Sequence, residues 1–143
     1  MGRLHEFPVQ CKQTVHEPAR AVARALRNAV DAKVGVAASF EAREVAALEL
    51  TNEATRLFLR DDLVAIADRH GDQVEVDGVI YHRHQPGTVT YFTLCGSLEI
   101  DRWTYREMGI RNGPTIVPLE LEAGLVEHGT PALGFRSAVA RRI

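Results

Sequence analysis

Between Gln73 and Arg106 the chain sets three turn signals among four extended runs, and this stretch constrains the architecture more than any other. Asp77-Gly78 separates Val74-Glu75-Val76 from Val79-Ile80-Tyr81, the two-residue pattern of a tight hairpin. Pro86-Gly87 fits the central positions of a type II turn, where proline presets φ and glycine takes the left-handed place. Cys95-Gly96-Ser97 fits a three-residue loop. Together the turns set a register that pairs Val76 with Val79, Val74 with Tyr81, Tyr81 with Phe92, Val79 with Leu94, Leu94 with Leu98 and Phe92 with Ile100. Side chains alternate along a strand, so a one-residue slip sends a strand's whole set to the other face. In this register all the paired apolar residues share one face. Arg83, Thr90, Arg102, Thr104 and Arg106 extend that face, and Glu75, His82, His84, Tyr91, Thr93, Glu99, Asp101, Trp103 and Tyr105 occupy the other.

The flanking segments read as helix. Residues 1–16 have no apolar period and are expected as a flexible arm, with a single domain over 17–143. Pro18 suits a first helical turn, and the Ala- and Arg-rich run over 18–32 ends before Gly35. Ser39 is placed to cap a helix over 40–70 that stops at Gly71. At 100° per residue, Phe40, Ala47, Leu50, Ala54, Leu57 and Phe58 form one stripe of that helix. Val45, Leu48, Leu59, Leu63 and Ile66 form another, nearly opposite. A helix apolar on two sides packs on two sides: on its own sheet, and on the first helix, a second protomer or a part of a longer protein. A restart at Asp61-Asp62 is the alternative. Beyond the sheet, Asn112-Gly113-Pro114 marks a turn and Thr115-Ile116-Val117 is extended. Pro118 ends that strand or opens a short helix through Leu125, and Thr130-Pro131 opens a last helix from Ala132 to Arg142, closing the C-terminal turn-and-helix segment 114–142. The fold class expected is α+β: N-terminal helices, one long, on a small antiparallel β-meander, with a short C-terminal helix.

Several function classes are set aside by composition. A net charge of -2 exerts no global pull on nucleic acid, which leaves only local patches. Cys11 and Cys95 lack disulfide or zinc spacing. No apolar run is long enough to span a bilayer, and no signal-peptide pattern opens the chain, so the expected compartment is the cytoplasm with no membrane partner.

The expected register makes His82, Tyr91 and Asp101 cross-strand neighbours, a possible acid–base group, with His84 as a further metal ligand. A flat polar sheet face explains the same residues without catalysis. No phosphate-cradling glycine loop, nucleophile elbow or His-Glu-x-x-His motif is present. The expectation is a non-enzyme without cofactor or metal. The strongest interaction feature is Arg102, Trp103, Tyr105 and Arg106, with Arg83 and Arg111 nearby. Guanidinium groups pair with phosphate and exposed rings stack on bases. The competing reading packs Trp103 and Tyr105 against the first helix and pairs the arginines with Asp101 and Glu107.

Three segments carry a family resemblance: Leu94-Cys95-Gly96-Ser97-Leu98-Glu99-Ile100-Asp101-Arg102-Trp103-Thr104-Tyr105-Arg106, Asn112-Gly113-Pro114, and Pro118-Leu119-Glu120-Leu121-Glu122-Ala123-Gly124-Leu125. Following a Leu- and charge-rich helix, they resemble the N-terminal region of bacterial insertion-sequence transposases of the Kra type and their uncharacterised relatives, over roughly residues 40–140. The resemblance implies DNA-end recognition or protomer assembly, with strand-transfer chemistry in a downstream acidic nuclease domain. The chain is expected to stop before such a domain, so no catalytic residue carries over. The implied partners are DNA, a second copy of the chain, or a full-length transposase met through the long helix. A small homo-oligomeric interaction module with no nucleic-acid role is the alternative.

Overall fold

A computed structural model describes residues 3–134, with side chains described from residue 17 onward. The named elements among the described residues are, in order, α1 (Arg3–Val34), α2 (Phe40–Arg69), β1 (Gln73–Val76), β2 (Val79–Thr93), β3 (Gly96–Glu107), β4 (Thr115–Ile116) and α3 (Pro118–Ala123). The class is α+β, with two long helices preceding a four-stranded antiparallel sheet in the order β1-β2-β3-β4. Two compact units divide the chain, Met1–Asn52 and Glu53–Ile143, with the boundary inside α2.

In the first unit, α1 begins at Arg3, not at Pro18, so the residues expected as an arm fall within the helix. No glycine interrupts the sequence between Gly2 and Gly35, and Pro18 lies in the helix interior rather than its first turn. Gly35 ends α1 at φ 92, the left-handed value that glycine reaches without a Cβ penalty, and its N–H closes on the Asp31 carbonyl at 3.0 Å. Ser39 caps α2 as expected, its Oγ accepting the Ala42 N–H at 3.1 Å. Arg43 ties the two helix ends: one Nη donates to the Gly35 carbonyl at 2.9 Å and the other lies 2.9 Å from Asp31 Oδ1. Val30 and Ala46 are buried, and Lys33 pairs with Glu49 at 2.7 Å.

In the second unit, α2 runs unbroken through Asp61-Asp62 to Arg69. Leu63 joins Tyr91, Leu98, Ile100, Leu119 and Leu125 in the core, with Leu59, Val64, Ile66 and Ala67 packed around it. This part of α2 therefore buries one of its two expected stripes on the sheet.

The sheet departs from the expected register at two of its three turns. The first hairpin is as read: Val76 opposes Val79 and Val74 opposes Tyr81, with Asp77 and Gly78 at φ 51 and 80. Pro86-Gly87 makes no turn, because β2 continues through both residues. Pro86 is tolerated there because β1 pairs only as far as His82, so at Pro86 that side of β2 is an edge where no ladder N–H is required. The next turn is Leu94-Cys95, closed by Thr93 opposite Gly96. Thr93 is buried and holds it, its Oγ1 accepting from the Cys95 N–H at 3.0 Å and donating to the Gly96 carbonyl at 2.8 Å. Tyr91 now opposes Leu98, and Val89 opposes Ile100. The slip is an odd number of residues, so the faces exchange: Tyr91 is buried, whereas Phe92 and Leu94 are exposed. A bulge between Arg83 and Gln85 absorbs one residue of β2.

The C-terminal part follows the reading more closely. β4 pairs with Tyr105 and Arg106. Pro118 opens α3, and Gly124 ends it in the left-handed conformation at φ 69. Residues 131–134 are helical, and the rest of the last expected helix lies outside the described residues.

Candidate functional site

Arg83 and Tyr105 oppose each other across β2 and β3. Their polar atoms turn towards the chain leaving α2, where helix carbonyls lack intrahelical partners. Arg83 Nη2 donates to the His70 carbonyl at 3.0 Å, the Tyr105 hydroxyl donates to the Gly71 carbonyl at 2.6 Å, and the Arg83 backbone N–H donates to the Asp72 carbonyl at 2.9 Å. Three successive carbonyls are thus satisfied by one cross-strand pair. Arg83 Nε also donates to the Tyr105 oxygen at 3.3 Å, and that hydrogen bond is the main reason its pKa lies above the usual value. Asp72 lies 3.2 Å from its Nη1. Tyr105 is 2% exposed and presents no free ring face.

Arg102 is likewise engaged. Its Nε donates to the Tyr91 hydroxyl at 3.1 Å, and its Nη2 lies 3.5 Å from Glu120 Oε1. Tyr91 in turn donates to Glu120 Oε1 at 2.8 Å. Burial pushes the Tyr91 phenol up to about 12; the Arg102 hydrogen bond opposes the shift and the Glu120 bond adds to it. The phenol therefore stays protonated and can donate to Glu120 while accepting from Arg102. His128 packs edge-on against the ring, with centroids 5.6 Å apart. Sequence reading missed this network because it placed Tyr91 on the polar face. The signal available was the alternation Val89, Tyr91, Thr93.

Trp103, Arg106 and Arg111 complete the six expected contact residues. Trp103 is 39% exposed, and the Arg83 guanidinium stands 5.4 Å from its ring centroid. The two line a shallow cleft of about 210 Å³ with His70, Pro86, Arg102 and Leu119. Arg106 opposes His82, and the buried Nε of Arg106 and Nδ1 of His82 have no hydrogen-bond partner among the described residues. Arg111 is exposed and makes no ion pair among the described residues. The structure thus brings Arg83, Arg102, Trp103 and Tyr105 around one cleft and leaves Arg111 apart on the turn after β3.

The proposed acid–base group does not form. His82 opposes Arg106, Tyr91 opposes Leu98, and Asp101 opposes Thr88, whose Oγ1 donates to it at 2.6 Å. Among the described residues no three His, Cys, Asp or Glu side chains converge on a point that would hold a metal ion. No helix among them is long and apolar enough to cross a membrane.

Two further surfaces stand out. On α2 within the second unit, Leu57 and Phe58 are 55% and 62% exposed, beside exposed Ala54 and Ala65. On α1, Arg20, Arg24 and Arg27 are exposed at intervals of four and three residues, with exposed Asn28 alongside. A helical wheel of the Ala- and Arg-rich run is the sequence signal for the second surface. The chain matches no protein-family model, no curated protein and no solved structure.

Proposed function

We propose that this chain is a non-catalytic module derived from the N-terminal region of an insertion-sequence transposase, acting in the cytoplasm in DNA transposition, and that its principal task is assembly. The observation that carries the assembly role is the exposure of Leu57 and Phe58 on α2, opposite the stripe that Leu59, Leu63 and Ile66 pack on the sheet. Burying such side chains stabilises by about 1.5–3 kcal/mol each, a driving force left unused within the second unit. The partner is a second copy of the same helix, in this chain or in a full-length transposase. Ala54 and Ala65 flank the two large residues and let a facing helix approach closely.

Sedimentation velocity tests this. The chain is expected as a dimer or larger species that Leu57→Ser with Phe58→Ser converts to a folded monomer. A monomer at every concentration overturns it. A homo-oligomer that retains no DNA at low salt would instead favour the interaction module without a nucleic-acid role.

DNA binding at the sheet is the second reading, and Trp103 beside Arg83 favours it. With the Arg102 and Tyr105 polar groups engaged inside the fold, the contacts fall to Trp103, Arg106 and Arg111. Trp103 is the sole tryptophan, so its fluorescence reports stacking directly. Quenching by single-stranded DNA that weakens in Arg111→Ala supports the reading, and unchanged emission removes it.

A further inference from the structure

The arginines on α1 are placed differently from those on the sheet. Arg83 and Arg102 have their nitrogens committed to carbonyls, hydroxyls and carboxylates within the fold. Arg20, Arg24 and Arg27 are exposed and make no ion pair or hydrogen bond among the described residues. At 100° per residue they fall within about 60° of one another, and seven residues at 1.5 Å each spread them over roughly 10 Å. Of the acids that bracket this stripe, Asp31 lies against Arg43 at 2.9 Å. Like charges at these spacings weaken a helix. Among the described residues no carboxylate pairs with these three side chains, so a ligand that offsets the repulsion is anionic and presents its charges in a row.

We propose that Arg20, Arg24 and Arg27 form a binding site for the sugar–phosphate backbone of double-stranded DNA, with Asn28 at its border as a hydrogen-bonding neighbour. A duplex offers evenly spaced phosphates to a rigid row of guanidinium groups, and Arg is suited to gripping them with two donors each. An anionic membrane surface is disfavoured. An interfacial helix needs bulky apolar residues opposite its basic face, and among the described residues that side is largely Ala21, Ala25 and Ala29, with Val22 62% exposed and Leu26 half-buried. The site lies within the first unit. It is separate from both the Trp103 cleft and the Leu57–Phe58 face, so it stands or falls independently of assembly on α2.

The test is fluorescence anisotropy of the full chain with a short labelled duplex across a salt series. The variants carry Arg20, Arg24 and Arg27 all changed to Gln, or all changed to Lys. Gln has nearly the helix propensity of Arg, and circular dichroism checks that the helix is kept. The wild type is expected to bind with a salt-dependent affinity. The Gln variant is expected to lose more than tenfold at moderate salt, its slope of log K against log salt falling by up to about 2.7, or 0.9 per phosphate contact. The Lys variant is expected to keep most of the slope. Equal slopes for wild type and Gln variant, with the duplex still bound, overturn the site while leaving DNA binding elsewhere intact. No duplex binding by the wild type overturns the site, while single-stranded DNA at Trp103 is decided separately by the fluorescence test. Phosphatidylserine vesicles bound by the wild type and released by the Gln variant, with the duplex ignored, would make the stripe a membrane contact instead.

Discussion

The Tyr91 hydroxyl donates to Glu120 at 2.8 Å, joining the centre of the sheet to the first turn of α3. Arg102 donates to the same hydroxyl, so one buried phenol is both donor and acceptor. Tyr91→Phe leaves Arg102 Nε without its acceptor and Glu120 Oε1 with only the longer 3.5 Å contact from Arg102 Nη2. The expected cost is roughly 1–3 kcal/mol, because polar groups left unpaired in a partly buried place are not rehydrated fully. The pH dependence is a sharper signature. The folded pKa of about 12 lies above the ordinary phenol value of about 10. A raised folded pKa gives stability that is complete below about pH 10 and is lost as pH rises through the folded value. Two pKa units correspond to about 3 kcal/mol at most. Urea unfolding across this alkaline range is expected to show wild type declining more steeply than Tyr91→Phe. Both proteins retain Tyr81 and Tyr105, so the difference isolates Tyr91. Parallel curves would show that Tyr91 is not the buried phenol described.

Arg102 looks like a DNA contact by sequence and is a structural tie by geometry. Its side chain is 12% exposed and that of Glu120 is 25%. Arg102→Ala is expected to destabilise by roughly 1.5–3 kcal/mol, the range for hydrogen bonds to charged partners. Arg111→Ala, on an exposed turn residue, should stay within about 0.5 kcal/mol of wild type. Denaturant midpoints measured on both variants check this. The comparison also decides how DNA retention is read, since weaker retention by Arg102→Ala would follow from a loosened fold.

Two glycine substitutions test the register. Gly78 sits at φ 80 with open space where a Cβ would go, so Gly78→Ala meets strain without a clash. About 1–2 kcal/mol of destabilisation is expected from forcing an L-residue into the left-handed region. Gly87 also has open space, but it lies in β2 outside that region. Gly87→Ala should be neutral or stabilise by up to about 1 kcal/mol, by narrowing the unfolded ensemble. A type II turn at Pro86-Gly87 would demand positive φ at Gly87 and reverse that sign, so thermal denaturation of this one variant discriminates the two registers.

The contrast between those glycines shows where the sequence was legible. Asp77-Gly78 is a local signal with a local cause: both residues must take positive φ, and few others do so cheaply. Ser39 and Gly35 announced their helix ends for the same kind of reason. Pro86-Gly87 is equally strong locally, but the longer β2–β3 ladder buries Tyr91, and Val89 in part, beside Leu98 and Ile100, and tertiary packing prevails. One odd slip then moved Tyr91 from the polar face into the core and dissolved the His82–Tyr91–Asp101 grouping. The Arg83–Trp103 proximity belongs to the observed register alone: a turn at Pro86-Gly87 would separate the two by an intervening strand, whereas the unbroken β2 lies directly beside β3. The capping of residues 70–72 by Arg83 and Tyr105 was not legible, since it depends on where α2 ends against the sheet.

Leu63 and Phe58 lie on the same helix with opposite expected behaviour. Leu63 is 8% exposed in the core, and Leu63→Ala removes packed methyl groups and leaves a cavity. A loss of about 2–5 kcal/mol follows, visible in chemical denaturation at any protein concentration. Phe58 is mostly in solvent within its own chain, so Phe58→Ser should leave the stability of an isolated chain within about 0.5 kcal/mol of wild type. If the α2 face is covered by a second copy, wild-type stability rises with protein concentration, because association draws the folded state forward by mass action. Phe58→Ser should abolish that dependence. Denaturant midpoints over a wide concentration range, paired with sedimentation, read both effects. A concentration-dependent midpoint that survives Phe58→Ser would place the association surface elsewhere on the chain.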